Sequence, residues 1–231
     1  MTGDRQQDGA AVSSKRLTLT FDNGPTPGIT ERVLDILARH DLQATFFVIG
    51  RQLRGPAAAA LLPKIEQAGH RIGNHTLNHR VSFGGRPDAA FAHAEIEEAQ
   101  ALIGTHAGAE KLFRPYGNDG MLGPHLFSAA ALSYLRHNGY TSVLWNLVPG
   151  DWRNPDGWDV DGAAALASID WPVIVLHDID SGCLVRLPSF VARIADLGYA
   201  VERDFPDSVV VTRAGRFVSL TDWMVADGMP I

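Results

Sequence analysis

An α/β fold of the distorted, incomplete (β/α)7 barrel type is predicted by three features of the sequence. Seven short apolar segments of strand character recur along the chain, and most are followed by a segment of helical period. Strict alternation of this kind argues for parallel strands joined by helical crossovers. In addition, Asp22, His75, Arg114, Asp151 and His177 each follow a different strand on its C-terminal side. Five strands contributing to one rim is the layout of a barrel site. An open doubly wound sheet concentrates its site at one switch point.

The elements follow in order. Leu17, Leu19 and Phe21 alternate with Thr18 and Thr20, the period of a strand, which stops at Asp22-Asn23-Gly24-Pro25. Thr26-Pro27 reads as an N-cap and first helical residue, with Val33, Leu34 and Leu37 forming the apolar stripe of a helix ending near His40. A buried-type strand over 44–49 comes next, then a helix over 56–67 interrupted near Pro63, and a strand over 70–74 that runs into HTLNH. Pro87-Asp88 opens a helix to about Ile103. A short strand at 111–113 leads into RPYG, and a helix is expected over 124–138. A strand over 141–147 leads into VPGDW, followed by a weaker helix over 161–168. The apolar strand 172–176 leads into His177-Asp178, a helix covers 187–197, and the last strand of the series is 199–202. The tail, VVVTRAGRFVSL, reads as a hairpin around Ala214-Gly215. The expected organisation is a flexible lead-in over 1–14, a catalytic barrel over 15–204, and a C-terminal extension over 205–231 packed on the same domain.

Composition narrows the classes of function. The 231 residues are 45% hydrophobic and 20% charged, an ordinary globular balance. The net charge of −6 and the absence of a basic run exclude nucleic acid as an expected partner. No run approaches the ~20 apolar residues that span a bilayer, so no membrane association is expected. The N-terminal stretch has no apolar core of the secretion-signal type. A single cysteine, Cys183, fits a reducing compartment. The expectation is a cytoplasmic protein.

Several polar clusters carry potential chemistry, though each alone is compatible with a turn or a surface coincidence. His75 and His79 stand four apart; on a helical turn they share a face, about 5–6 Å apart at Cβ, suited to one metal ion. Asp22 or Asn23 is positioned to supply an oxygen ligand. Arg114, beside the rigid turn Pro115-Tyr116-Gly117, is suited to hold a carboxylate ionised, and the Tyr116 and Gly117 backbone N–H groups to face a developing oxyanion. Asp151-Trp152 lies in a loop with Trp158, and aromatics in such a rim loop suit sugar contacts. His177, at a strand tip beside Asp178, is a candidate general acid.

Together these clusters resemble the motifs of the polysaccharide deacetylase family, carbohydrate esterase family 4. The five stand in order as Thr20-Phe-Asp-Asn-Gly24, His75-Thr-Leu-Asn-His79, Arg114-Pro-Tyr-Gly117, Val148-Pro-Gly-Asp-Trp152 and Leu176-His177. The resemblance covers about residues 16–203. It implies metal-assisted hydrolysis of an acetamide in an N-acetylated sugar or related small amide, oligosaccharides included. It further implies Asp22 as general base, Arg114 orienting it, and His75, His79 and position 23 holding a divalent metal, usually zinc. The Tyr116 N–H would stabilise the oxyanion, Asp151 would tune His177 to protonate the leaving amine, and Trp152, Leu176 and Pro115 would contact substrate. Two positions depart from the pattern: Asn23 replaces a metal-binding aspartate, weakening the expected affinity, and Val148 replaces an aspartate of the fourth motif. The alternatives are a metal-independent, allantoinase-like hydrolase of cyclic amides and a non-catalytic carbohydrate- or metabolite-binding homologue.

Overall fold

Strand β1 (Lys15–Asp22) pairs with three other strands of the sheet, and both of its faces are buried from Leu17 onward. Leu17, Leu19 and Phe21 point outward into a core shared with the surrounding helices. Thr18, Thr20 and Asp22 point the other way, as the period of two requires, so β1 turns a polar face to the barrel interior. The computed structural model describes residues 15–219 and 222–228. The expected lead-in over 1–14 lies outside the described residues, as do parts of the tail.

β1 is flanked by β2 (Thr45–Val48) and β6 (Val173–His177), and the parallel series continues through β3 (Arg71–Asn74), β4 (Leu112–Phe113) and β5 (Thr141–Val143). Asp22 is level with Phe47 on one side and with His177 on the other. That register brings the ends of β1 and β6 to one height.

The ring does not close into a regular barrel. β5 and β6 share no strand pairing, and a single parallel bridge between Leu147 and Ile174 spans the gap. The strand expected over 141–147 accordingly ends at Val143. β7 (Tyr199–Glu202) pairs with the first half of β1, from Lys15 to Thr18. Thr18 is level with Val173 on one edge and Glu202 on the other, so β7 lies on the same edge as β2, nearer the N-terminal end of β1. It therefore contributes nothing to the C-terminal rim. β8 (Val210–Arg213) runs antiparallel to β5 and turns at Ala214-Gly215 into β9 (Arg216–Phe217).

The helices differ from the sequence reading mainly at their starts. α1 (Thr30–Arg39) begins three residues after Pro27, because the Thr26 carbonyl accepts from the Ile29 and Thr30 N–H groups in a turn. The helical stretch over 56–67 divides into a turn, Pro56–Ala59, and α2 (Leu62–Gln67), with Pro63 in its first turn. α3 (Ala89–His93) is capped by the Asp88 carboxylate and passes through a π-helical turn, Ala94–Glu98, into α4 (Ala99–Ile103). α5 (Ala129–His137) starts at the Ser128 cap rather than at Pro124, since the Ser128 hydroxyl accepts from Ala131 N–H. α6 (Trp158–Leu166) places Trp158 against Phe190, fully buried, where it packs core rather than sugar. α7 (Leu187–Asp196) completes the outer layer.

Gly73 lies in β3 where a Cβ would meet the Phe47 ring at 2.5 Å, and Phe47 in turn lies under the Arg114 guanidinium at 4.1 Å. Gly73→Ala is expected to destabilise the fold by about 1–3 kcal/mol through overpacking, measured by denaturant unfolding.

Candidate active site

Asp22 and Arg114 meet inside the rim. Arg114 Nη1 donates to Asp22 Oδ1 at 2.9 Å and to Thr20 Oγ1 at 2.7 Å, and Nη2 donates to the Leu144 carbonyl at 3.0 Å. Arg114 is fully excluded from solvent. Burial lowers its pKa and the Asp22 carboxylate opposes that shift. A buried guanidinium retains its charge, so Asp22 is held in place by a charge-assisted bond on one oxygen.

The other Asp22 oxygen faces a histidine. His75 Nδ1 lies 2.9 Å from the Arg114 carbonyl, an acceptor, so that nitrogen carries the proton. Nε2 is then an unprotonated acceptor, 3.5 Å from Asp22 Oδ2. Burial pushes the His75 pKa down to about 3 and that of His79 to about 2. Both rings are neutral at ordinary pH, with their centroids 4.5 Å apart. The expected helical turn over 75–79 is not what joins them. Thr76 and His79 have φ of 66° and 52°, and the Thr76 hydroxyl accepts from His79 N–H, so the segment is a tight loop that folds the rings together.

Asn23 follows Asp22 with φ 75°, and among the described residues its buried Oδ1 has no hydrogen-bond partner. The free Nε2 of His75, the neutral ring of His79, the orphaned amide oxygen and the adjacent carboxylate oxygen are electron-pair donors at one rim. That donor set fits a divalent cation. Among the described residues no cluster of three histidine, cysteine or acidic side chains forms a metal site. A cation here would rely on the Asn23 amide.

His177 is organised by Asp151. Asp151 Oδ1 lies 2.8 Å from His177 Nδ1, and Oδ2 accepts from the His177 backbone N–H at 2.8 Å. Burial opposes the charged ring, but the hydrogen bond and charge of Asp151, with Asp22 and Asp178, outweigh it and raise the His177 pKa. Nδ1–H is thereby fixed and Nε2 is the ring's other proton-carrying position. Trp152 packs edge-on against the ring, with centroids 4.6 Å apart.

These groups border a cavity of about 270 Å³, lined among others by Asp22, Asn23, His75, His79, Tyr116, Trp152 and His177. Arg114 and Asp151 stand behind it and act through their partners. Pro115 and Leu176 are buried and are not among the cavity-lining residues. Leu176 points into the outer core. Side chains alternate along β6, so Val175, two residues before His177, shares its face and lines the cavity instead. Trp145 also lines the cavity, its Nε1 donating to the Gly120 carbonyl at 2.8 Å. Its signal in the sequence is its place two residues beyond Val143, on the inward parity of β5's continuation.

A polar-lined barrel rim with a buried carboxylate–guanidinium pair, a histidine–aspartate pair and a two-histidine donor set defines a hydrolase site. The family model for polysaccharide deacetylase matches residues 9–143. The chain belongs to that family and, with N-acetylglucosamine and chitooligosaccharide deacetylases among its relatives, is an enzyme acting on C–N amide bonds. A chitooligosaccharide deacetylase of Sinorhizobium fredii is 35% identical over 167 residues, 71% of either chain. A family 4 carbohydrate esterase from Streptomyces lividans, solved with acetate, superposes with a TM-score of 0.69 at 27% identity, over 87% of this chain and 96% of that one. A family 4 acetyl xylan esterase from Clostridium thermocellum, solved with a cobalt ion, gives 0.64 at 26% identity, over 82% and 88%. Among the described residues no helix is long and apolar enough to cross a membrane.

Asn23→Asp would add a formal charge to the oxygen that now lacks a partner. Zinc affinity by titration calorimetry is expected to rise about tenfold, about 1.4 kcal/mol. Unchanged affinity would remove position 23 from the ligand set.

Proposed function

We propose that the protein removes the acetyl group from an N-acetylated amino sugar, in a small oligosaccharide, with a divalent metal held by His75, His79 and Asn23. The observation that carries this reading is the convergence of two ion pairs, Asp22–Arg114 and His177–Asp151, on the cavity that the two neutral histidines share. The kinship with a chitooligosaccharide deacetylase supports the substrate class, and the cobalt-bound neighbour supports a divalent ion. Zinc is the ion that two imidazoles and an oxygen ligand suit best. Such an ion supplies Lewis-acid polarisation of the acetamide carbonyl and a lowered pKa for water.

The side chains carry the proton transfers. Asp22 Oδ2, with its partner oxygen held by Arg114, accepts a proton from the attacking water. The water oxygen bonds to the acetamide carbon, and the negative charge that develops on the carbonyl oxygen faces the Tyr116 backbone N–H. His177 Nε2 donates its proton to the leaving nitrogen as the C–N bond breaks, giving acetate and a free amine. Asp151 holds His177 Nδ1–H throughout, so the ring remains a cation until it donates. Trp152 and Val175 border the acetyl group. Cys183, single, buried and free, supports a reducing cytoplasmic setting.

Asp22→Asn keeps an acceptor for Arg114 but removes the base. Acetate release from chitooligosaccharides is expected to fall by about 10²–10⁴, with the folded circular-dichroism spectrum retained. Near wild-type turnover would refute the mechanism. A His177 acid with a raised pKa is protonated, and active, up to higher pH than a free imidazole, and activity falls as pH rises through that pKa. Asp151→Asn removes the carboxylate that raises it, so the alkaline limb of the kcat profile is expected to move to lower pH; an unmoved limb would assign the acid elsewhere.

A further inference from the structure

The sequence Asn74-His75-Thr76-Leu77-Asn78-His79 places an asparagine directly before each histidine, and both asparagines are held by the same π-helical turn. Asn74 Nδ2 donates to the Ile96 carbonyl at 2.9 Å. Asn78 donates twice to Glu95, from its backbone N–H to Oε2 at 2.9 Å and from Nδ2 to Oε1 at 2.6 Å. We propose that Glu95 is a positioning residue for the metal site, setting the place of the His79 imidazole through Asn78. The proposal rests on the reading of His75 and His79 as metal ligands.

Glu95 is only 5% exposed, and among the described residues it forms no ion pair. A carboxylate withdrawn from water without a cation is costly unless its oxygens are occupied by donors. Both oxygens of Glu95 are occupied by one residue, Asn78. The rest of the loop is anchored from the other side, where Gly50 and Arg51 N–H groups donate to the Thr76 and Leu77 carbonyls at 3.0 and 2.8 Å. Asn78 and His79 lie beyond those anchors. Among the described residues their hydrogen bonds are the two to Glu95 and the one from His79 N–H to the Thr76 hydroxyl. The π turn explains how one helix reaches both asparagines. A wider turn rotates successive side chains and carbonyls away from their α-helical directions, and such turns concentrate at functional sites. Here it presents the Ile96 carbonyl and the Glu95 carboxylate together toward the loop.

The test compares zinc affinity and loop protection in wild type, Glu95→Ala, Asn78→Ala and Glu95→Gln. Groups that orient metal ligands from outside the coordination shell typically contribute about 10–100-fold in metal affinity. Both alanine variants are expected to weaken zinc binding in that range by titration calorimetry. Amide exchange around residues 76–79 should quicken in the metal-free proteins, while melting temperatures stay within a few degrees. Glu95→Gln should restore binding. Its Oε1 still accepts from Asn78 N–H, and its amide N–H meets the Asn78 side-chain oxygen once that amide turns over. Wild-type zinc affinity in either folded alanine variant would overturn the positioning role alone. If both alanine variants fail to fold, the milder Glu95→Asp decides: its carboxylate, one methylene shorter, is drawn back from the Asn78 donors, zinc binding is expected to weaken, and wild-type affinity in the folded Asp variant overturns the proposal. A wild-type chain that takes no zinc would overturn the metal reading itself and the proposal with it.

Discussion

The buried guanidinium of Arg114 is the constraint on which the site depends. It lies between the Phe47 and Trp145 rings and reaches the Asp22 carboxylate, the Thr20 hydroxyl and the Leu144 carbonyl. Its own carbonyl fixes the His75 tautomer. One residue at the end of β4 thus sets the orientation of the end of β1 and the proton placement on the loop after β3. A full charge in the interior of a barrel is tolerable only when paired and hydrogen-bonded. The inward face of β1 is accordingly threonine, threonine and aspartate while its outward face is leucine, leucine and phenylalanine.

Around that centre the site has two halves with opposite electrostatics. On the His75–His79 side, burial drives the imidazoles neutral and leaves the Asn23 amide oxygen without a donor, an arrangement rich in lone pairs and poor in protons. On the His177 side, a carboxylate bound to both the ring and the backbone of the same residue holds a proton in place. The two halves sit at equal height because β1 and β6 are paired in register from Thr18–Val173 to Asp22–His177. The same residue type is lowered in pKa on one side and raised on the other, so its neighbours and not its identity decide which histidine holds a proton.

The helical layer takes part in the site through one irregular turn. The interruption of α3 and α4 at Ala94–Glu98 would read from sequence as an uninterrupted helix, and Ile96, Ala99 and Ile103 keep a helical apolar stripe across it. The irregular turn faces a loop whose two asparagines meet its Ile96 carbonyl and its Glu95 carboxylate. Glu95 carries no signal of its own in the sequence, because an acidic residue in a helix ordinarily faces water.

The sequence by itself determined the alternation of strands and helices, the rim on which the polar residues gather, and the identity of Asp22, His75, Arg114, Asp151 and His177 as its members. These are local matters: periodicity, turn residues and strand ends are written over a few neighbouring positions. Only the tertiary structure decided that the His75–His79 pair is brought together by a left-handed loop and not a helix. It also decided that Val175 faces the cavity while Leu176 faces the core, that Trp158 is core, and that β7 lies below the rim. Each of these depends on register and on contacts between segments far apart in the chain. A single step of parity along β6 or a few residues of offset along β1 exchanges inside for outside, and no local pattern carries that choice.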